Sequence, residues 1–231
     1  EIIDEIEGKV QFVTLASRGE PLVSKQINEM LKYTSGKFLN LKINTNASLL
    51  NEEKIHSILS SNVKTLVFSA DAADSELYKK LRVNGSLEKT VSNIKKFKEI
   101  QLKHYSKSKI ITRVSGVKFS KKQSFESMMS LWGDLVDQVA FVDYNPWENS
   151  YEKESNGLST ACSDLWRRMF VWWDGKINPC DVDYKSKLSV GNISDGTIKS
   201  LWNSNFYNDL REKHLNNKRQ SVSPCNACTV I

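Results

Sequence analysis

The chain has 231 residues, 33 Lys or Arg against 27 Asp or Glu, and a formal net charge of +6. Its four prolines, ten glycines and 39% hydrophobic residues exclude a disordered or fibrous chain. No run of roughly eighteen apolar residues encodes a membrane span, and no signal peptide is visible.

The opening EIIDEIEGKVQFVTL starts at Glu1 without an entry turn or cap of its own, which reads as part of a longer chain. Val10 to Leu15 is β-branched and aromatic enough for a buried strand ending in SRGEP, after which Val23, Ile27, Met30 and Leu31 repeat at helical spacing. The unit recurs. Phe38 to Ile43 predicts a second strand ending in Asn44-Thr45-Asn46, and a helix near Asn51 carries Glu52 and Glu53 at its positive end. Val63 to Phe68 predicts a third strand, ending in Ser69-Ala70-Asp71, with Asp74 capping a short helix through Tyr78. A longer helix spans Ser86 to about Leu102, and Lys109 to Val117 reads as the fourth strand. Ser124 caps a helix that Gly133 ends, and Val136 to Val142 is the fifth strand.

This alternation implies an α/β fold, a parallel sheet with helices outside, either doubly wound or a barrel. In both, chemistry sits at the carboxyl ends of the strands, here SRGEP, NTN and SAD. No GxGxxG follows the first strand and no GxxxxGK[ST] occurs, so neither phosphate cradle is present. His56, His104 and His214 stand far apart in sequence, make no metal or triad pattern, and are expected on the surface. Between Lys79 and Lys122, fourteen Lys or Arg face two Glu; interleaved with Leu87, Val91, Ile94 and Phe97, they read as a solvated helix face rather than a nucleic-acid surface.

After Pro146 the alternation stops, and five of the six tryptophans lie beyond it. The expected division is a sheet domain over 1–148 and a second domain over 149–231, with Glu148 to Thr160 as the linker. All four cysteines fall in the second part: Cys162, Cys180 after seventeen intervening residues, then Cys225 and Cys228 after forty-four more. RRMFVWWDGKINPC reads as a hairpin turning at Asp174-Gly175 and delivering Cys180; a helix carrying Ile198, Leu201, Trp202, Tyr207 and Leu210 follows. Four soft donors suit a tetrahedral zinc or a four-iron cluster. The spacing is unlike the paired knuckles of a zinc ribbon and favours a cluster. Disulfides are disfavoured in a chain without a secretory segment, and free thiols point to a reducing, cytoplasmic interior. A zinc-stabilised nucleic-acid-binding module is the alternative.

The motifs SRGEPL (17–22), NTNASLL (44–50), VFSAD (67–71) and YKKLRVNGS (78–86), with WWDGKINPCDVD, LSVGNISDGTIKSLWN and PCNAC, resemble the radical S-adenosylmethionine (AdoMet) enzymes with a C-terminal SPASM or twitch domain. The resemblance covers nearly the whole chain. It implies a partial (βα)6 TIM-like barrel, here units two to six, followed by a small α+β domain. Gly19 and Glu20 resemble the GGEP turn whose backbone receives the methionine amino group, with Arg18 replacing its first glycine. Thr45 and Asn46 match the family's TNG, with Ala47 in place of glycine. Ser69 and Arg82 resemble the pair that holds the methionine carboxylate, and Asp71 lies where it would orient ribose.

The same resemblance implies that Cys162, Cys180, Cys225 and Cys228 ligate one auxiliary 4Fe-4S cluster in electron transfer, with Trp166, Trp172 and Trp173 excluding water. The family's CxxxCxxC does not occur in these 231 residues. A second 4Fe-4S cluster, the one that cleaves the cofactor, is therefore expected on an N-terminal segment missing from this chain; a catalytically degenerate homologue is the other alternative. By resemblance, reductive cleavage of AdoMet yields a 5′-deoxyadenosyl radical that abstracts hydrogen from a sugar, aminocyclitol or peptide. Asp143, Tyr144, Trp147 and Asp183 are candidate lining residues. The expected partners are that substrate and a reductant such as flavodoxin or ferredoxin, with no membrane and no nucleic acid.

Overall fold

A computed structural model describes residues 1–16, 18–144 and 150–231. The chain divides into two compact units, Ile6–Tyr144 on one side, and Glu1–Glu5 with the described residues beyond Tyr144 on the other.

After α1 (Ile2–Ile6), the first unit alternates β1 (Phe12–Leu15), α2 (Ile27–Thr34), β2 (Asn40–Thr45), α3 (Glu52–Ser60), β3 (Val63–Ser69), α4 (Ser75–Leu81), α5 (Leu87–His104), β4 (Ile111–Lys118), α6 (Phe125–Trp132) and β5 (Gln138–Asp143). The caps are chemical. Asn51, Asp74, Ser86 and Ser124 each accept a backbone N–H three residues on, at 2.8 to 3.1 Å, which satisfies a first-turn donor that the helix cannot. β1 begins at Phe12, two residues later than expected, with Val10 exposed.

All five strands pair in parallel in chain order, β1-β2-β3-β4-β5. A doubly wound sheet reverses its strand order once; this one never does. Successive right-handed crossovers in one direction put every helix on the same face. One residue set therefore meets the helices: Ile43, Leu66, Phe68 and Val114 pack with Leu31, Ile55, Ile58, Ile94, Phe97, Met128 and Trp132 in a single core. α5 contributes Leu87, Thr90, Ile94, Phe97 and Ile100 at helical spacing, and its lysines fall on the opposite, solvated face.

The register aligns a second set on the other face: Lys42 beside Thr65, Asn44 beside Val67 and Arg113, and Ser69 beside Ser115. This inner face is polar, as in a barrel that receives a ligand rather than a second helix layer.

The second unit carries α7 (Asp164–Arg167), β6 (Phe170–Val171), β7 (Lys176–Asn178), β8 (Gly191–Asn192), α8 (Ile198–Trp202) and α9 (Asn205–Leu215). β6, β7 and β8 form an antiparallel sheet. The hairpin closes one residue wider than the two-residue turn expected. Trp172 N–H donates to Lys176 O (2.8 Å), Gly175 N–H donates to Trp172 O (3.0 Å), and Gly175 has φ +80°. That is a type I turn completed by a left-handed glycine, the three-residue solution. The single helix expected after Gly191 is two: Asn203 ends α8, and Ser204 caps α9 by accepting the Tyr207 N–H.

No helix among the described residues is long and apolar enough to cross a membrane.

Candidate functional site

The carboxyl ends of β1, β2 and β3 bring the sequence-predicted cofactor residues onto one rim. Glu20 braces it. One carboxylate oxygen accepts from Thr45 Oγ1 (2.6 Å) and Leu22 N–H (3.1 Å), and the other accepts from Asn46 N–H (2.7 Å). Thr45 Oγ1 in turn accepts from Ala47 N–H (3.0 Å), and Asn46 Oδ1 from Ser48 N–H (2.9 Å). Ala47, where the family pattern has glycine, takes φ 60° while fully buried, a conformation costing an L residue about 1–2 kcal/mol. A Cβ on Gly19 would meet open space.

Ser69 ends β3, and Asp71 follows as a buried knot. Its Oδ1 accepts from Val117 N–H (2.7 Å), its Oδ2 from Arg82 Nε (2.5 Å), and its carbonyl from Gln123 Nε2 (2.5 Å). Gln123 Oε1 then takes the N–H groups of Phe119 and Ser120, tying the turn after β4 to the end of β3. Arg82 reaches the rim from the end of α4, partly exposed and oriented by Asp71.

Two residues of this rim were given no individual role in the sequence reading. Asn44, the first residue of NTN, lies on the inner face with its Oδ1 buried and without a partner. Gly116 in β4 is required by close approach: a Cβ there would stand 2.6 Å from Ala70 O and 3.1 Å from Asp71 Cα. Gly116→Ala is expected to push the end of β3 away at a cost of about 1–3 kcal/mol. Thermal denaturation reads this as a lowered Tm, whereas Gly19→Ala leaves Tm unchanged; equal Tm values for the two variants would refute it.

Of the candidate lining residues, Asp143 and Tyr144 are exposed at the end of β5, Tyr144 stacked on Phe119 (4.7 Å between ring centres). Trp147 lies outside the described residues. Asp183 is not a lining residue. It is fully buried, accepting from the Lys187 and Leu188 N–H groups (2.9 and 2.8 Å) and from Tyr151 OH, and so organises its own loop.

In the second unit, all four cysteines are free thiols and line one cavity, with Leu165, Val182 and Leu188 as apolar walls. None of the three tryptophans lines it. Trp172 is buried elsewhere, Trp166 is 41% exposed, and Trp173, splayed out by the hairpin turn, is 92% exposed. Aliphatic side chains exclude water instead.

The scaffold beneath is α9, which buries Tyr207, Leu210, Arg211 and His214 at i, i+3, i+4 and i+7. Arg211 Nε donates to Leu165 O (2.9 Å) and its guanidinium stacks over Tyr207 (4.0 Å), holding the α7 turn that follows Cys162. His214 is 1% exposed, not on the surface as its sequence context suggested. Cys162 N–H donates to its Nδ1 (3.2 Å), and burial, reinforced by Arg219, lowers its pKa to about 4. Arg219, also 1% exposed, donates to the carbonyls of Thr160 (3.0 Å), Cys225 (3.0 Å), Cys228 (2.6 Å) and Val230 (2.8 Å), clamping the CxxC loop.

This donor set fits an anionic cluster. Arg219 is a buried cation whose hydrogen bonds run to neutral carbonyls, and it lines the same cavity as the four thiols, where thiolates with their irons would add negative charge. Among the described residues, no three His, Cys, Asp or Glu side chains are grouped to hold a single ion. A zinc with four sulfurs at about 2.3 Å needs thiols converging on a point; these surround a space. Burial pushes the Cys225 thiol up to about 12 and those of Cys180 and Cys162 upward as well.

A barrel-like parallel sheet with a polar rim, and a separate fold with four thiols lining one cavity, suit a cofactor-binding barrel joined to a cluster-binding domain. Residues 1–129 match the Radical SAM superfamily, and residues 162–229 match SPASM, an iron-sulfur cluster-binding domain. The chain belongs to the radical SAM superfamily, and its cofactors are 4Fe-4S clusters and AdoMet.

Among relatives, the AdoMet-dependent heme synthase of Methanosarcina barkeri (strain Fusaro / DSM 804) is 24% identical over 264 residues, covering 91% of this chain and 74% of the relative. Streptococcus suis SuiB bound to precursor peptide SuiA shares the fold with a TM-score of 0.72 at 16% identity, over 98% of this chain and 61% of SuiB. BtrN in complex with AdoMet and 2-DOIA gives 0.61 at 14%, over 100% of this chain and 78% of BtrN.

Proposed function

We propose that this chain forms the AdoMet-binding barrel and the auxiliary-cluster domain of an enzyme that abstracts hydrogen from a small polar or peptide substrate. The observation that carries this reading is the rim where Glu20 bridges to Thr45 and Asn46 while Asp71 aims Arg82. Bound here, AdoMet and its cluster would supply hydrogen-abstracting radical chemistry, and the auxiliary cluster would supply electron transfer.

The chain's own residues bind and orient. Arg82, with Ser69, receives the methionine carboxylate, since a guanidinium suits that anion. Asp71 has both oxygens engaged, so its part is to fix Arg82 rather than to touch ribose. Gly19 and Glu20 present the turn for the amino group, with Glu20 locking that turn to the end of β2. The Asn44 amide, with its oxygen unpartnered, faces the ligand from the inner sheet face. Cys162, Cys180, Cys225 and Cys228 hold the auxiliary cluster, with Arg219 as countercharge.

The inner face supports a polar substrate: its strand positions include Lys42, Asn44, Ser69, Arg113 and Ser115. SuiB binds a precursor peptide and BtrN binds 2-DOIA, so a peptide and a small polar molecule both suit this fold. A reduced flavodoxin or ferredoxin in the cytoplasm would deliver the electron.

The test is anaerobic incubation of the full natural protein, reconstituted with iron and sulfide, with AdoMet and dithionite. Release of 5′-deoxyadenosine supports the reading. A cluster-loaded protein that binds AdoMet and never cleaves it would make this chain part of a catalytically degenerate homologue.

A further inference from the structure

His214 has one ring nitrogen accounted for and one not. A backbone N–H only donates, so the contact from Cys162 N–H requires Nδ1 to be an unprotonated acceptor. The neutral ring then carries its proton on Nε2. That N–H is buried and has no hydrogen-bond partner, although leaving a buried donor unmade costs about 1–3 kcal/mol. The side chain lines the same cavity as the four cysteines. α9 allows it little choice of position, because Tyr207, Leu210 and Arg211 pin the same helix face.

We propose that His214 donates its Nε2–H to a sulfur of the cluster held by Cys162, Cys180, Cys225 and Cys228, and that this bond raises the cluster's reduction potential. The inference rests on the cluster reading above. A hydrogen bond to sulfur stabilises the reduced, more negative cluster more than the oxidised one. Reduction adds one electron from an external donor, and the proton stays on the ring. The role differs from ligation: four thiolates already complete the donor set, and His214 acts on the charge they carry.

Two substitutions separate the ring's two functions. In His214→Asn the amide oxygen takes the place of Nδ1 and keeps the Cys162 N–H satisfied, but nothing reaches as far as Nε2. His214→Gln restores a donor at that reach. The experiment is an EPR-monitored dithionite titration of the auxiliary cluster in the reconstituted full natural protein. At a fixed poise, His214→Asn is expected to lower the ratio of reduced to oxidised cluster about tenfold, equivalent to about 59 mV for one electron, and His214→Gln to recover most of it. In the reduced parent protein, hyperfine spectroscopy is expected to detect an exchangeable proton coupled to the cluster, lost in His214→Asn.

An unchanged potential in an iron-replete His214→Asn protein overturns the proposal. So does iron loss in both variants, which would make His214 purely structural. Parent protein with no iron-sulfur signal at all would instead overturn the cluster reading on which it rests.

Discussion

Cys225→Ala strips the second unit of its iron: content attributable to Cys162–Cys228 falls from about four irons per chain to below one, with loss of the visible absorbance. Cys225 is the most enclosed of the four thiols, packed with Leu165, Leu188, Tyr207, Leu210 and Val222. Its removal takes away one thiolate but little packing, since alanine replaces a small apolar side chain. The variant is therefore expected to fold without the cluster. Because burial holds the Cys162, Cys180 and Cys225 thiols protonated in the apo-protein, cluster assembly must release those protons. Iron uptake by the parent apo-protein accordingly rises with pH. Retention of four irons by the variant would remove Cys225 from the ligand set.

Arg82→Met lowers AdoMet affinity in the reconstituted full natural protein roughly 10- to 100-fold, the worth of a charge-assisted hydrogen bond at about 1.5–3 kcal/mol. The backbone of residue 82, which caps α4 through Tyr78 O (2.7 Å), is unchanged, but the buried Asp71 carboxylate loses its cation, so Tm is measured beside affinity. Asp71→Asn is expected to cost less. The amide oxygen still accepts the Val117 N–H, while Arg82 loses the charge that aims it. Isothermal titration of the parent and both variants checks the order. Equal affinity in Arg82→Met would mean that another residue holds the methionine carboxylate.

Much of this molecule was legible in one dimension because its signals are local. Asn51, Asp74 and Ser124 announced their helices, since a cap is a side chain bonding its own first turn. α5 was readable from one apolar residue every three to four positions. Strand order was not, because periodicity carries no information about which strand lies beside which; the pairing in chain order decides between barrel and doubly wound sheet.

The cysteine unit shows the same limit. The thiols and the hairpin were readable, but His214 was expected on the surface and Arg219 was passed over, because a lone polar residue gives little local sign of burial. A signal did exist: His214 stands three, four and seven positions after Arg211, Leu210 and Tyr207, on one helix face. Asp71 and Arg82 were each recognised, yet their pairing, eleven residues apart across a helix, came only with the fold.

Within this radical SAM fold, Cys162, Cys180, Cys225 and Cys228 are proposed to hold one iron-sulfur cluster. Anaerobic iron, sulfide and zinc analysis of the reconstituted 231-residue chain tests it most directly. About four irons and four sulfides per chain, and no zinc, are expected. One zinc per chain, with neither iron nor sulfide, would contradict it.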